Sequence, residues 1–110
     1  MIRRHAEWMR LIDERILELL KTEDRALRSK AIKDRLGELS PHFEYPKQYI
    51  DARLDRLLYY RLVETEGESW KYRLSEHGVS YLNGALDAND LPASVEERSG
   101  KPGLKIDRID

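Results

Sequence analysis

The spacing of apolar residues in this chain changes twice, and the order of those changes limits the folds open to it. Up to Leu58 apolar residues recur at steps of three and four, which is the spacing of one helix face. From Val63 to Leu74 apolar and charged residues alternate around a turn, as in strands with one face buried. Helical spacing returns after Ser75. The sequence therefore predicts several helices, one β-hairpin and a further helix.

The first helical stripe lies near the N-terminus and comprises Trp8, Leu11, Ile12, Ile16, Leu19 and Leu20. Its start stays open between two positions. The helix begins either near His5 or near Asp13, because Asp13 and Glu14 suit the cap and first turn of a helix.

Two further stripes predict a pair of helices joined by a loop. Ser29 is the expected N-cap of the second helix and Gly37 its expected end, since glycine readily adopts the left-handed conformation that closes helices. The third helix is expected to begin at Pro46, because proline suits the first helical position. Its inward stripe is Ile50, Leu54, Leu57 and Leu58.

The hairpin is predicted to turn at Gly67-Glu68-Ser69, and Ser75 is the expected cap of the last helix. Trp70 is expected to pack against the helices, with insertion near a DNA minor groove as the alternative. Val79, Leu82 and Leu86 are expected to face inward.

This order is that of a winged helix-turn-helix, a mainly α fold with a small β-hairpin, in which the second helix of the pair lies in a DNA major groove. We expect the domain to span residues 1–88. Residues 89–110 are expected to form a linker and a flexible tail, because apolar density falls and prolines and glycines interrupt the segment.

Composition excludes several classes of protein. The 110 residues include no cysteine, which removes disulfides, thiolate catalysis and iron–sulfur clusters. No apolar run is long enough for a membrane span and no signal peptide is recognisable, so we expect a cytoplasmic protein without a membrane partner. The three histidines stand apart from any metal-binding or catalytic motif, and no glycine-rich phosphate loop is present. We expect neither an enzyme nor a cofactor, metal ions included.

Charge is unevenly distributed although the formal net charge is -1. Between Arg25 and Arg35 five basic residues face one acidic residue, whereas Glu64 to Glu76 holds four acidic residues and two basic ones. The basic stretch is compatible with binding an anion such as nucleic acid. The alternative is an ordinary solvated helix face.

Several stretches resemble a known family. Residues 49–57 with 62–64 look like the recognition helix and first wing strand of archaeal winged-helix regulators, and residues 72–78 with 81–82 look like their exit strand and last helix. Trp8-Met9 with residues 13–18, and residues 81–88, are similar to the phage phi-H repressor-like family of haloarchaea. The resemblance covers roughly residues 6–91 and implies a dimeric DNA-binding transcriptional regulator, often a repressor.

Two features depart from that family's pattern. The loop from Glu38 to Tyr45 is longer than the usual tight turn between the paired helices. The hairpin carries Glu64, Glu66 and Glu68, which repel phosphates.

The third helix carries the candidate DNA contacts on the side opposite its apolar stripe. Gln48 suits bidentate pairing with adenine, and Ala52 allows contact with a thymine methyl. Arg53 lies on the flank of that side and suits bidentate pairing with guanine. Lys47, Arg56, Lys30 and Lys33 are expected to bind phosphates. Tyr49 lies on the same side, either contacting a base or packing.

Homodimerisation is expected to use the first and last helices, where Trp8, Leu11, Tyr81 and Leu82 offer apolar area beyond the needs of the core; packing within the chain is the alternative. The sequence thus predicts a dimeric transcriptional regulator of double-stranded DNA, most simply a repressor. The rival interpretation is a winged helix that docks other proteins without binding DNA. No effector pocket is identifiable.

Overall fold

The computed structural model describes residues 3–90. Four α-helices, two strands and two single 3₁₀ turns follow one another in the predicted order, which confirms the predicted fold class. The helices are α1 (Leu11–Glu23), α2 (Ser29–Leu39), α3 (Lys47–Tyr59) and α4 (Glu76–Leu82). The strands are β1 (Val63–Glu66) and β2 (Lys71–Leu74), and the 3₁₀ turns are Pro41–Phe43 and Ala88–Asp90. The predicted tail beyond Asp90 lies outside the described residues.

Helix ends differ from the sequence prediction by short distances, for identifiable reasons. Helix α1 begins at Leu11, between the two predicted starts, and the Asp13 carboxylate accepts a hydrogen bond of 2.8 Å from the Arg10 backbone N–H. Helix α2 runs past Gly37 to Leu39 and is followed by an extended residue, so the prediction that Gly37 ends it is wrong. Ser29 is its first helical residue rather than its N-cap.

The paired helices, and α1 beneath them, share one core. Ile16 and Leu17 of α1, Ile32 and Leu36 of α2, and Ile50, Leu54 and Leu57 of α3 have no exposed side-chain surface. Each side chain of this size stabilises the fold by about 1.5–3 kcal/mol when fully buried. The core therefore fixes α3 against α1 and α2 along its whole apolar stripe.

The hairpin is antiparallel, with Val63 opposite Leu74 and Glu66 opposite Lys71. Its inner side is buried through Val63 and Tyr72. The backbone of Tyr72 also exchanges two hydrogen bonds, of 2.7 and 2.8 Å, with Leu27 in the loop before α2. The hairpin is thereby joined to the start of the helix pair.

Helix α4 lies so close to the hairpin that one position requires glycine. A Cβ atom on Gly78 would lie 2.3 Å from the carbonyl oxygen of Leu62. Val79, expected to face inward, is 36% exposed.

Within residues 3–90, no helix combines the length and hydropathy needed to cross a bilayer.

Candidate nucleic-acid interface

The helix pair α2–α3 is joined by residues 40–46, which form a structured connection. The hydroxyl of Ser40 accepts a hydrogen bond of 3.1 Å from the backbone N–H of His42, and Pro41–Phe43 forms a 3₁₀ turn. Helix α3 begins at Lys47, one residue after the predicted start, and Pro46 is its N-cap. The longer connection thus contains a turn of its own.

One side of α3 is exposed to solvent. We define the recognition face as four exposed residues on it, Lys47, Gln48, Ala52 and Arg56; Asp55, seven residues after Gln48, is exposed on the same side. They lie opposite Ile50, Leu54 and Leu57, as the helical spacing predicts. Among the described residues Gln48 has no side-chain hydrogen bond and Arg56 no ion pair. Their polar groups are therefore available to a ligand.

Tyr49, which the sequence assigned to the same side, is half-buried. Its ring lies 4.7 Å from the ring of Tyr45, in the connection before α3. This contact holds the connection against the helix and leaves part of Tyr49 at the surface.

The candidate phosphate-binding lysines are exposed or half-buried, and two of them form ion pairs within their own helices. The Nζ atom of Lys47 lies 3.0 Å from Oδ2 of Asp51, and that of Lys30 lies 2.9 Å from Oδ2 of Asp34. The hydrogen bond from Lys30 lowers the pKa of Asp34. Exposed pairs of this kind contribute little stability, so a phosphate can replace either carboxylate as the partner of its lysine.

Arg53 does not lie on the flank of the recognition face, and that expectation is wrong. The side chain points into the domain and is only 9% exposed. Its Nε and one terminal nitrogen donate hydrogen bonds of 2.8 and 2.5 Å to the two oxygens of Asp13, and the same terminal nitrogen donates to the carbonyl oxygen of Trp8 at 3.0 Å. The hydrogen bonds to Asp13 raise the pKa of the guanidinium. Arg53 is therefore unavailable to a base edge.

The sequence contained a signal for this ion pair that the helical stripes obscured. Arg53 stands three residues after Ile50 and four before Leu57, within the inward side of α3. Asp13 stands three residues before Ile16 and four before Leu17, within the inward side of α1. Two opposite charges inside two facing apolar stripes indicate a buried pair, because an unpaired buried charge is costly.

The hairpin presents a different surface from the helix pair. Glu64 and Arg73 pair across the strands at 2.8 Å, while Glu66 and Glu68 are exposed at the tip. Trp70 is 66% exposed and belongs to the turn rather than to β2, so the expectation that it packs against the helices is wrong. The tip combines acidic groups with one large apolar side chain.

Comparison with known proteins places this architecture in a family. The family model of the winged helix-turn-helix phage repressor matches residues 1–94. The chain belongs to the winged helix-turn-helix phage repressor family. Among solved structures, the PhiH1 repressor-like protein from Haloarcula marismortui is similar, with a TM-score of 0.70 and 27% sequence identity over 84% of this chain and 98% of that chain. No curated protein matches the sequence.

Membership of the phage repressor family confirms the resemblance stated from sequence. It indicates a DNA-binding regulator, and the family is not a class of enzymes. Within residues 3–90 no group of acidic residues and histidines is arranged to hold a metal ion.

Two residues expected at a dimer interface are buried in this repressor-family domain. Tyr81 has no exposed surface, and its hydroxyl donates a hydrogen bond of 2.5 Å to Glu14, while Leu82 is 7% exposed. The expectation that these two offer surplus apolar surface is therefore wrong. Trp8 is half-buried with its ring stacked 4.4 Å from that of Tyr60, whereas Leu11 is 59% exposed. The role of Trp8 and Leu11 in a dimer stays a prediction.

Glu14 is the centre of a polar cluster that the spacing of apolar residues does not reveal. It accepts the Tyr81 hydrogen bond and pairs with His5 and Arg3 of the N-terminal segment. Burial acts to raise the pKa of Glu14, but the Tyr81 hydrogen bond and the charges of His5 and Arg3 outweigh it, so the net shift is downward. Burial, followed by the bond to Glu14, raises the pKa of Tyr81. The cluster fastens the N-terminal segment to α1 and α4.

Proposed function

We propose that this chain is a sequence-specific repressor of transcription that binds double-stranded DNA as a dimer, with α3 in the major groove. The observation that carries the proposal is the recognition face. It presents a lysine, a glutamine, an alanine and an arginine on the unpacked side of the second helix of a helix-turn-helix. This combination suits base reading at the centre and phosphate binding at the ends.

Each residue of the recognition face has a distinct expected role. Gln48, in the first turn of α3, has an amide that pairs in bidentate fashion with adenine, and Ala52 one turn later permits close approach to a thymine methyl. Lys47 and Arg56 bind phosphates at the two ends of the face. Lys30 and Lys33 on α2 bind phosphates across the groove. Tyr49 stays a predicted contact through its exposed part.

The buried pair Arg53–Asp13, on the packed side of α3, supports the same proposal. It ties α3 to the N-terminal turn of α1 with two charge-assisted hydrogen bonds. Sequence reading depends on a fixed orientation of the recognition helix, and a buried bidentate pair restricts rotation of α3 about its axis. Arg53 is thus a positioning residue in this proposal.

A dimer of such domains predicts the form of the operator. Two recognition helices related by a two-fold axis enter successive major grooves about 34 Å apart, so an operator with two-fold symmetry is expected. A repressor acts by occupying such a site against the transcription machinery.

A second candidate function is protein docking without DNA, which the exposed Trp70 and the acidic Glu66 and Glu68 favour. The two candidates differ in the surface they need. DNA recognition needs the recognition face, whereas docking through the hairpin needs only its tip.

Selection from a genomic DNA pool at two salt concentrations tests the proposal. We compare the wild type with Lys47→Ala/Gln48→Ala and with the control Arg4→Ala, which removes an exposed cation from the N-terminal segment. The expected result is a set of enriched sites that the double variant loses and the control retains, with binding that weakens steeply as salt rises. Absence of enriched sites at low salt would overturn DNA recognition and leave docking as the function.

A further inference from the structure

The tip of the hairpin carries an aromatic ring, that of Trp70, which is not packed into the core of the domain. Trp70 is 66% exposed, whereas every other aromatic residue among residues 3–90 is half-buried or buried. Exposure of an indole forfeits the stabilisation that its burial provides. The core therefore does not account for a tryptophan here.

The backbone at Trp70 is also in a conformation that tryptophan rarely adopts. Its φ angle is 58°, in the left-handed region, as is that of Gly67 at the other end of the turn with φ 56°. A glycine at residue 70 would form this turn without steric cost. Since neither the core nor the turn favours tryptophan at this position, a contact between the indole and a partner outside the domain explains its presence.

A cleft of about 970 Å³ opens at the base of the same hairpin, between the end of α1, strand β2 and α4. Its lining has an excess of basic over acidic side chains and an apolar part. Lys21 and Lys71 have no ion-pair partner among the described residues, and Leu74 and the exposed side of Val79 supply apolar surface. Arg25 and Arg73 also line the cleft, but each is paired with a glutamate of its own chain, and Asp24 and Glu66 add two carboxylates to the lining.

The tip and the cleft are complementary in charge. The tip carries Glu66 and Glu68 beside the indole of Trp70, so it repels phosphates and attracts cations. The cleft offers the ammonium groups of Lys21 and Lys71, which bind carboxylates and lie favourably over an indole face. The acidic tip therefore favours a protein partner over DNA.

We propose that the partner is a second copy of this chain, with the hairpin tip of each copy seated in the cleft of the other. Tip and cleft adjoin on one edge of the domain, because Glu66 and Lys71 flank the turn and also line the cleft. A two-fold axis beside the hairpin then satisfies both contacts at once, which is the requirement for a closed dimer. This inference rests on the dimer of the proposed function and names its surface.

The arrangement leaves the recognition face free. Lys71 and Arg73 point to the side of the sheet opposite Tyr72, since side chains alternate along a strand. Tyr72 is turned toward α3, where burial and then the carboxylates of Asp55 and Asp51 raise its pKa. Docking through the outer side of the hairpin is thus compatible with α3 in a groove.

Sedimentation analysis of Trp70→Gly tests the indole. Glycine suits the left-handed turn, so the thermal midpoint in dilute solution is expected to stay the same or rise. The wild type is expected to dimerise, and the variant to raise the dimer Kd roughly tenfold or more, as loss of an interface tryptophan does. Leu39→Ser is the matched control, because Leu39 is 63% exposed on α2, outside the cleft lining. It is expected to leave the Kd unchanged.

Charge reversal tests the pairing of tip and cleft. Glu68→Lys and Lys21→Glu are each expected to weaken the dimer, and the double variant Glu68→Lys/Lys21→Glu is expected to recover part of the loss. A wild type that stays monomeric at submillimolar concentration would overturn the proposal, and so would a Trp70→Gly protein that dimerises like the wild type. Loss of DNA binding by Trp70→Gly with an unchanged dimer Kd would reassign the indole to DNA.

The two proposals fail in different ways. If Lys47→Ala/Gln48→Ala has no effect on DNA while Trp70→Gly breaks the dimer, the recognition face is wrong and the docking surface stands. If the recognition-face variant loses DNA and Trp70→Gly leaves the dimer intact, the docking surface is wrong and the DNA proposal stands.

Discussion

At the scale of single residues, the buried carboxylates of Asp13 and Glu14 connect parts of the domain that lie far apart in the sequence. Asp13 caps α1 and pairs with Arg53 of α3, so one carboxylate serves both a helix end and a tertiary contact. Glu14 joins the N-terminal segment to α4 through Tyr81. Sequence periodicity treated Asp13 only as a candidate helix start and Arg53 as a surface residue. Periodicity assigns faces, and a charged pair inside two facing stripes is visible only when both helices are considered together.

Asp13→Asn is expected to lower the free energy of unfolding by roughly 3–5 kcal/mol, because it leaves the Arg53 charge buried without its partner. Urea unfolding measures the loss. Asp51→Asn is the control: its pair with Lys47 is exposed, so a change within about 1 kcal/mol is expected. Replacing both partners, as Asp13→Leu/Arg53→Met, is expected to recover much of the loss. Equal effects of Asp13→Asn and Asp51→Asn would contradict the buried pair.

Glu14 predicts a dependence of stability on pH. Its pKa is lowered in the folded state from an ordinary value of 4.5, so the folded protein binds this proton more weakly than the unfolded chain. The contribution is complete above the ordinary pKa and is lost as pH falls through the lowered one. Urea unfolding at a series of acidic pH values is expected to show a shallower acid-side decline for Glu14→Gln than for the wild type. Parallel pH profiles for the two proteins would contradict this role.

At the scale of elements, the helix pair was predicted well because its apolar stripes are regular, and the hairpin tip was not. Nothing in the spacing of Trp70 distinguishes a strand residue from a turn residue, since alternation continues through it. The continuation of α2 for two residues beyond Gly37 has a similar cause. A glycine favours the end of a helix where the chain turns through the left-handed conformation. Helix α2 ends without that conformation, because its C-cap residue Ser40 is extended.

The intrahelical pairs of α2 and α3 give a prediction about affinity. Asp51 and Asp34 compete with phosphates for Lys47 and Lys30. Asp51→Asn is therefore expected to tighten DNA binding by roughly two- to fivefold, which corresponds to the free energy of one exposed ion pair. Titration of an enriched site at fixed salt measures this, with Glu7→Gln as a change of equal charge on the N-terminal segment. Unchanged or weaker binding by Asp51→Asn would show that Lys47 lies outside the interface.

At the scale of the whole molecule, the fold and family follow from the sequence pattern, whereas the functional surfaces depend on which side chains remain free. The structure removes Arg53, Tyr81 and Leu82 from the surfaces assigned to them and exposes Trp70. What remains is a recognition face on α3 and an acidic, aromatic tip on the hairpin. The two lie on different surfaces, so one domain has room for DNA and for a second copy of itself.

The most direct test of DNA reading by α3 is the affinity of the wild type, Gln48→Ala and Lys47→Ala for an enriched operator and its single-base variants. We predict that Gln48→Ala loses discrimination at one base pair in each half-site, with a cost of about 1–3 kcal/mol there. Lys47→Ala is predicted to weaken binding equally across all sequences and to reduce the salt dependence. An unchanged base preference in Gln48→Ala would contradict the placement of α3 in the major groove.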